Sequence, residues 1–178
     1  MTIQYAILGL LSWRPLSGYD LKKIIADSTA FYWSGNNNQI YKALVQLHVE
    51  GMVAVEVQEQ ENYPARKEYR ITEQGAAELR RWVLSAPEPA QFRSTFLLQL
   101  AWADQLDRAE LDDLLARYEH AVEIQLLMLQ ERERRGALNP ARTPREAYLW
   151  QEISNYFVAA YANELAWVRS LRQGVDER

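Results

Sequence analysis

Apolar positions recur at helical spacing over most of this chain and at strand spacing in one short stretch. Ile3, Ile7, Leu10 and Leu11 fall on one face of a first helix, which Trp13-Arg14-Pro15 brings to an end. Ser17 precedes Asp20 by three residues, a capping box that opens a second helix. That helix buries Leu21, Ile24 and Ile25 and turns Lys22 and Lys23 outward. A third helix starts near Asn36–Asn38, buries Ile40, Leu44 and Leu47, and stops at Gly51. The period then drops to two, with Val53, Val55 and Val57 alternating with Ala54, Glu56 and Gln58. Asn62-Tyr63-Pro64 is turn chemistry. Tyr69 and Ile71 alternate again, and Thr72 caps a helix over 73–85. Three helices, a two-stranded ribbon and a further helix outline a winged helix-turn-helix over residues 1–85.

Pro87, Glu88 and Pro89 stiffen a linker over 86–91, and residues 92–178 are almost purely helical. A short helix is expected over 92–104. A second runs from about Arg108 to Arg135, opened by Asp107 and Glu110 and ended by Gly136; it would be about 40 Å long. Thr143-Pro144-Arg145-Glu146 starts a final helix that continues to about Leu171. The predicted fold is mainly α: an N-terminal winged helix-turn-helix with a two-stranded wing, then a C-terminal helical dimerisation domain. Dimerisation is inferred from the final helix, whose apolar residues cover roughly half its circumference, where about 100° serves an ordinary surface helix. The wider arc calls for a second partner, most simply another copy of the chain. Trp150, Ile153, Phe157, Tyr161 and Val168 are the candidate dimerisation residues. A helix clamped inside its own bundle would show the same pattern.

The third helix carries the functional signal. Turned by about 100° per residue, Asn38, Gln39, Lys42, Val45, Gln46 and Val49 point away from its apolar stripe. Asn and Gln bond bidentately to adenine, Lys reaches guanine O6 and N7, and Val touches a thymine methyl. Backbone N–H groups at the start of such a helix also suit phosphates. In isolation this is equally a solvated polar face; the order of elements around it favours DNA. Net charge, −4, argues the other way until its distribution is seen. Residues 1–85 hold nine basic and nine acidic side chains, so the deficit lies wholly in the second half. A local basic face is compatible with a neutral first half. Lys22, Lys23, Lys42, Arg66, Lys67 and Arg70 are the candidate phosphate contacts, with Tyr63 on the wing and Tyr41 and Tyr19 near the interface. Arg70 could instead pair with Glu56 or Glu68.

The leading YAILGLLS, then PLSGYDL, QIYKALVQL with EGMV, and ARKEYRITEQG together make residues 1–85 resemble the PadR family of transcriptional regulators. The second half, including FLLQLAW, resembles the longer-tailed branch of that family in length and layout. The resemblance implies a homodimer with winged-helix heads and a C-terminal helical dimerisation domain. It also implies repression relieved by a small, often aromatic or phenolic, molecule. Two heads about a twofold axis call for a pseudo-palindromic double-stranded operator. His48 departs from the family's more often acidic segment, and Glu56, Glu59, Glu61 and Glu68 place acid on the presumed wing. The expected function is therefore a sequence-specific DNA-binding transcriptional repressor released by a small molecule. The rival is a winged-helix protein-interaction or ligand-sensing module without DNA binding.

Other chemistry finds little support. The chain has no cysteine and two histidines. His120 and Glu123 share a helix face, but no third strong ligand completes a metal site. No P-loop, dinucleotide fingerprint or nucleophile elbow occurs, so neither an enzyme nor a cofactor is expected. With no basic leader and no run approaching about 18 apolar residues, the expectation is a soluble, cytoplasmic protein with no membrane partner. The aromatic side chains of the second half are ordinarily core. The functional alternative is an aromatic-lined effector pocket drawing on Trp102, Tyr118, Tyr156 and Glu164.

Overall fold

The computed structural model describes residues 2–28, 37–60, 63–89, 94–136 and 138–176. The expected turn residue Asn62 and the helix start near Asn36 lie outside these segments. The chain falls into two compact units, Met1–Pro87 with Ala137–Trp150, and Glu88–Gly136 with Gln151–Arg178. Residues 137–150, counted with the second half in the sequence, thus group with the first.

In the first unit the order is α1 (Thr2–Trp13), β1 (Leu16–Ser17), α2 (Gly18–Asp27), α3 (Asn37–Val49), β2 (Val53–Gln60), β3 (Tyr63–Ile71) and α4 (Glu73–Val83). Leu8 and Leu10 of α1, Leu21 of α2 and Leu44 and Leu47 of α3 are essentially sealed from solvent in one core. Ser17 caps α2 as expected: its hydroxyl accepts from the Asp20 N–H at 3.1 Å, and the Asp20 carboxylate accepts from the Ser17 N–H at 3.2 Å. The wing has three antiparallel strands in the order β1-β3-β2, not two. Leu16 pairs with Tyr69 and Ser17 with Glu68. A two-residue strand is too short to show an alternation, so only the fold reveals it.

The EGMV and ITEQG segments meet in space. Helix α3 ends with Gly51 at φ +72°, the left-handed cap that glycine adopts without a Cβ penalty. The Gly51 and Met52 N–H groups close back onto the His48 and Leu47 carbonyls at 3.0 and 2.9 Å. The Thr72 hydroxyl donates to the Gly51 carbonyl at 2.8 Å while accepting from the Gly75 N–H at 3.1 Å. The Thr72 N–H donates to the Met52 carbonyl at 3.1 Å, and Gln74 Nε2 donates to the Glu50 carbonyl at 3.1 Å. Every carbonyl from Glu50 to Met52 thereby accepts a hydrogen bond from Thr72 or Gln74 at the start of α4. The wing is in this way tied to the end of α3.

The returning segment adds one more tie within this unit. Arg142 Nη1 donates to the Ser12 carbonyl at 2.9 Å, satisfying an acceptor in the last turn of α1. The Arg142 guanidinium also pairs with Glu146 in the first turn of α7 (Pro144–Asp176).

In the second unit, Ser94 caps α5 (Thr95–Ala101), which breaks at Trp102 into a 3₁₀ turn, Ala103–Gln105. The expected helix over 92–104 is therefore shorter, and its first two residues lie outside the described ones. Helix α6 (Arg108–Arg135) carries the expected Asp107/Glu110 capping box and stops at Gly136. Helix α7 runs past the expected Leu171 to Asp176. Within this unit α6 and α7 are antiparallel: Glu119 holds both Arg169 and Arg172, Asp112 holds Arg172, and Glu133 meets Gln151. Val122, Leu165 and Val168 form the apolar seam between the two helices, flanked by Tyr118, Leu126 and Tyr161.

Candidate nucleic-acid interface

Helix α3 divides cleanly. Ile40, Ala43, Leu44 and Leu47 are buried, whereas Asn38, Gln39, Tyr41, Lys42, Val45, Gln46 and Val49 are exposed. Val45 and Val49 are 62% and 76% exposed, an apolar addition to an otherwise amide-and-lysine face that hydration alone does not favour. Tyr41 sits at the seam between α3 and α2. A Cβ built on Gly18 would lie 2.7 Å from Tyr41 Cε1, so glycine is what lets this ring lie against the start of α2. Gln46 Nε2 donates to the Glu50 carboxylate at 2.6 Å, a partner that sequence reasoning missed although the i,i+4 spacing could have signalled it. His48 is turned to local structure: its Nδ1–H donates to the Val53 carbonyl at 3.1 Å.

The other candidate contacts are placed less uniformly. Lys23 and Lys67 are exposed and Lys22 is half-buried. Tyr63 and Arg66 lie on β3, where Tyr63 pairs with Gln60 and Arg66 with Gln58; their side chains fall outside the described ones. Arg70 is directed to its neighbours. Its guanidinium lies 3.0 Å from Glu56 and 3.9 Å from Glu68, two carboxylates set directly across from each other on β2 and β3. Like charges so placed repel, and Arg70 offsets them.

The dimerisation candidates separate into two sets. Val168 is fully buried in the seam with α6, and Tyr161 packs against that seam. Val168 consequently has no surface to offer a second copy, because α7 spends that sector of its apolar arc on its own subunit. Trp150 and Phe157 are half-buried, and Ile153 is exposed. Within the second unit the large apolar side chains of α7 that stay exposed are Ile153, Tyr156 and, in part, Trp167.

The effector-pocket candidates also divide. Tyr118 donates to the Glu164 carboxylate, its ring stacked on Phe96 at 3.5 Å between centroids, with Trp167 edge-on to Phe96 at 6.2 Å. Burial, followed by the Glu164 hydrogen bond, pushes the Tyr118 hydroxyl up to about 12. Tyr156 is exposed and edge-on to Phe157. Of the four candidates, Trp102 lines an open cleft of about 420 Å³ with Gln99, Leu106, Glu110, Leu114 and Arg117. Since the fold favours neutral Tyr118, the pair supports stability below pH about 10 and loses it as pH rises through about 12. Tyr118→Phe is expected to lower the melting temperature at pH 8. The gap to the parent should close as pH rises above 10, as thermal melts across that range would show.

Among the described residues no cluster of three His, Asp or Glu side chains could hold a metal ion, and no helix is long and apolar enough to cross a membrane.

Known proteins bear on this arrangement. Residues 7–81 match the model of the transcriptional regulator PadR-like family, and residues 92–175 match the virulence activator alpha C-terminal model. The chain is 34% identical over 113 residues to the negative transcriptional regulator PadR of Bacillus subtilis, a match covering 63% of this chain and 62% of that protein. It is 31% identical over 91 residues to a probable transcriptional regulator of Mycobacterium tuberculosis, covering 51% of this chain and 48% of that one. The aligned region thus spans between about half and two thirds of these curated relatives. Two crystal structures of Bacillus subtilis PadR match nearly end to end at 26% identity. The complex with operator DNA has a TM-score of 0.83, covering 98% of this chain and 99% of that one. The complex with p-coumaric acid has a TM-score of 0.78, covering 99% of each. Motifs, element order and these likenesses agree: the chain carries a PadR-like domain over residues 7–81 and a virulence-activator-type C-terminal domain over residues 92–175, and it is homologous to Bacillus subtilis PadR and PadR-like regulators.

Proposed function

We propose that the chain is a homodimeric, sequence-specific transcriptional repressor that reads a pseudo-palindromic operator with α3 and is released by a small aromatic molecule. The observation that carries this is the exposed face of α3, where Asn38, Gln39, Lys42 and Gln46 stand clear of the core beside Val45 and Val49. Their hydrogen-bonding and methyl chemistry matches base edges in a major groove. Lys23 on α2 and Lys67 on β3 supply phosphate contacts, with Lys22, Tyr41, Tyr63 and Arg66 as further members of the footprint. Support from relatives is that Bacillus subtilis PadR has been crystallised with operator DNA and with p-coumaric acid. In this reading residues 1–85 are the DNA-binding head, 86–91 the linker and 92–178 the dimerisation and effector part. The protein works in the cytoplasm and catalyses no reaction.

The test is a binding titration against operator DNA selected from a randomised duplex pool. Lys42→Ala and Gln46→Ala are each expected to weaken binding by about 1–3 kcal/mol and to relax preference at one base pair. Lys67→Ala should weaken binding evenly across sequences and reduce the salt slope by about one. If both α3 changes leave affinity intact, α3 is not the reading helix. One observation favours a second reading, a winged-helix module that binds a protein or ligand and no DNA: Arg70 is taken up by Glu56 and Glu68, which leaves the wing acidic. Failure of the randomised pool to yield any enriched sequence would favour that reading.

A further inference from the structure

We propose that Glu50 is a specificity-determining positioning residue that fixes which way the Gln46 amide faces the DNA. This rests on the proposed role of α3 as the reading helix. Gln46 Nε2 donates to the Glu50 carboxylate at 2.6 Å on the exposed side of α3. An amide nitrogen carries two N–H groups. With one given to Glu50, the other remains, and Oε1 remains as an acceptor beside it. That acceptor–donor pair matches adenine, whose N6–H₂ donates and whose N7 accepts.

Without Glu50 the amide can rotate by half a turn and present its donor and acceptor in the reverse order. Choosing one orientation would then be a cost met at binding. A carboxylate is otherwise out of place here, because a negative charge near a phosphate backbone weakens every complex alike. Its position is also held from behind. The Glu50 carbonyl accepts from Gln74 Nε2 at 3.1 Å, and the adjoining Gly51 carbonyl accepts from the Thr72 hydroxyl at 2.8 Å. Gly51 is locked in its left-handed conformation. The relay Gln74–Glu50–Gln46 therefore places a backbone-anchored acceptor beside a reading side chain.

The experiment uses the full-length protein and duplexes selected by it from a randomised pool, followed by all single-base-pair variants of the selected site. Gln46→Ala identifies the base pair that Gln46 reads. Glu50→Ala is expected to lower discrimination at that same pair by about tenfold, with discrimination elsewhere unchanged and affinity for random duplex equal or higher. Glu50→Gln removes the charge but keeps an acceptor oxygen, and is expected to retain most of the discrimination. The proposal is overturned if Gln46→Ala relaxes one pair while Glu50→Ala leaves that pair fully discriminated; α3 then stands as the reading helix without Glu50. It is equally overturned if Glu50→Gln and Glu50→Ala shift all sequences alike, the signature of bulk electrostatics. If Gln46→Ala and Lys42→Ala both leave binding intact, the reading of α3 fails and the role of Glu50 fails with it. Circular dichroism melts of each variant separate these results from loss of fold.

Discussion

Ile153→Glu combined with Tyr156→Glu is expected to convert the proposed dimer to monomers and to weaken operator binding by about 10²–10⁴-fold. Both side chains are exposed on α7 and lie outside its apolar seam with α6. Buried against a second copy, two such side chains contribute about 1.5–3 kcal/mol each, and a buried unpaired carboxylate costs several more. Splitting the dimer removes the gain from joining two heads on one DNA. The second head then no longer binds as part of the same molecule, and an avidity of this size disappears without any change at α3. Sedimentation equilibrium gives the mass and a binding titration gives the loss. A variant that stays dimeric with full affinity would place the interface elsewhere. Both positions face solvent in the single chain, so its melting temperature should change far less than its operator affinity.

The second large effect belongs to Gly75. Substitution by alanine is expected to destabilise the winged head by about 2–4 kcal/mol, the scale of an overpacked or strained core site. A Cβ there would come within 2.1 Å of the Met52 carbonyl oxygen and 3.0 Å of Ile71 Cγ1. The first contact is with backbone that already accepts from Thr72, so it cannot swing aside as a side chain would. Relief would require α4 to lift from the end of α3 and break the Thr72 and Gln74 hydrogen bonds together. Urea denaturation of the full chain measures the loss. A shift below about 0.5 kcal/mol would mean that the head absorbs the methyl by moving α4. The same contact explains why a glycine follows TEQ in the segment that resembles the family: it is a packing requirement, and no turn is involved.

Several residues were readable in advance because their partners are close in the chain. The Ser17/Asp20 and Asp107/Glu110 boxes, the Thr72 cap and the stops at Gly51 and Gly136 involve groups three or four residues apart. The exposed face of α3 was readable for a related reason, since three apolar positions at helical spacing leave one opposite side. The α6–α7 pairing was harder. Periodicity measures how wide the apolar arc of α7 is, but not which part its own neighbour covers. Val168 and Tyr161 therefore looked equivalent to Ile153, although the fold buries Val168 completely and leaves Ile153 outside. Arg70 had two carboxylates within reach by alternation, and only the strand register decided that it lies beside Glu56.

By itself the sequence determined the order of the main helices and the hairpin, the helix caps and stops that glycines and capping boxes set, the amide-and-lysine side of α3 and the resemblance to PadR regulators, since each rests on short-range periodicity, local capping or contiguous motifs. Tertiary structure alone decided the third strand at Leu16–Ser17, the clamp of Thr72 and Gln74 on the end of α3, the reach of Arg142 to the Ser12 carbonyl and which apolar side chains of α7 stay exposed. The physical reason is range. These contacts join backbone groups and faces that lie tens of residues apart, up to 130 between Arg142 and Ser12, and no local spacing records which distant carbonyl or helix face will satisfy them.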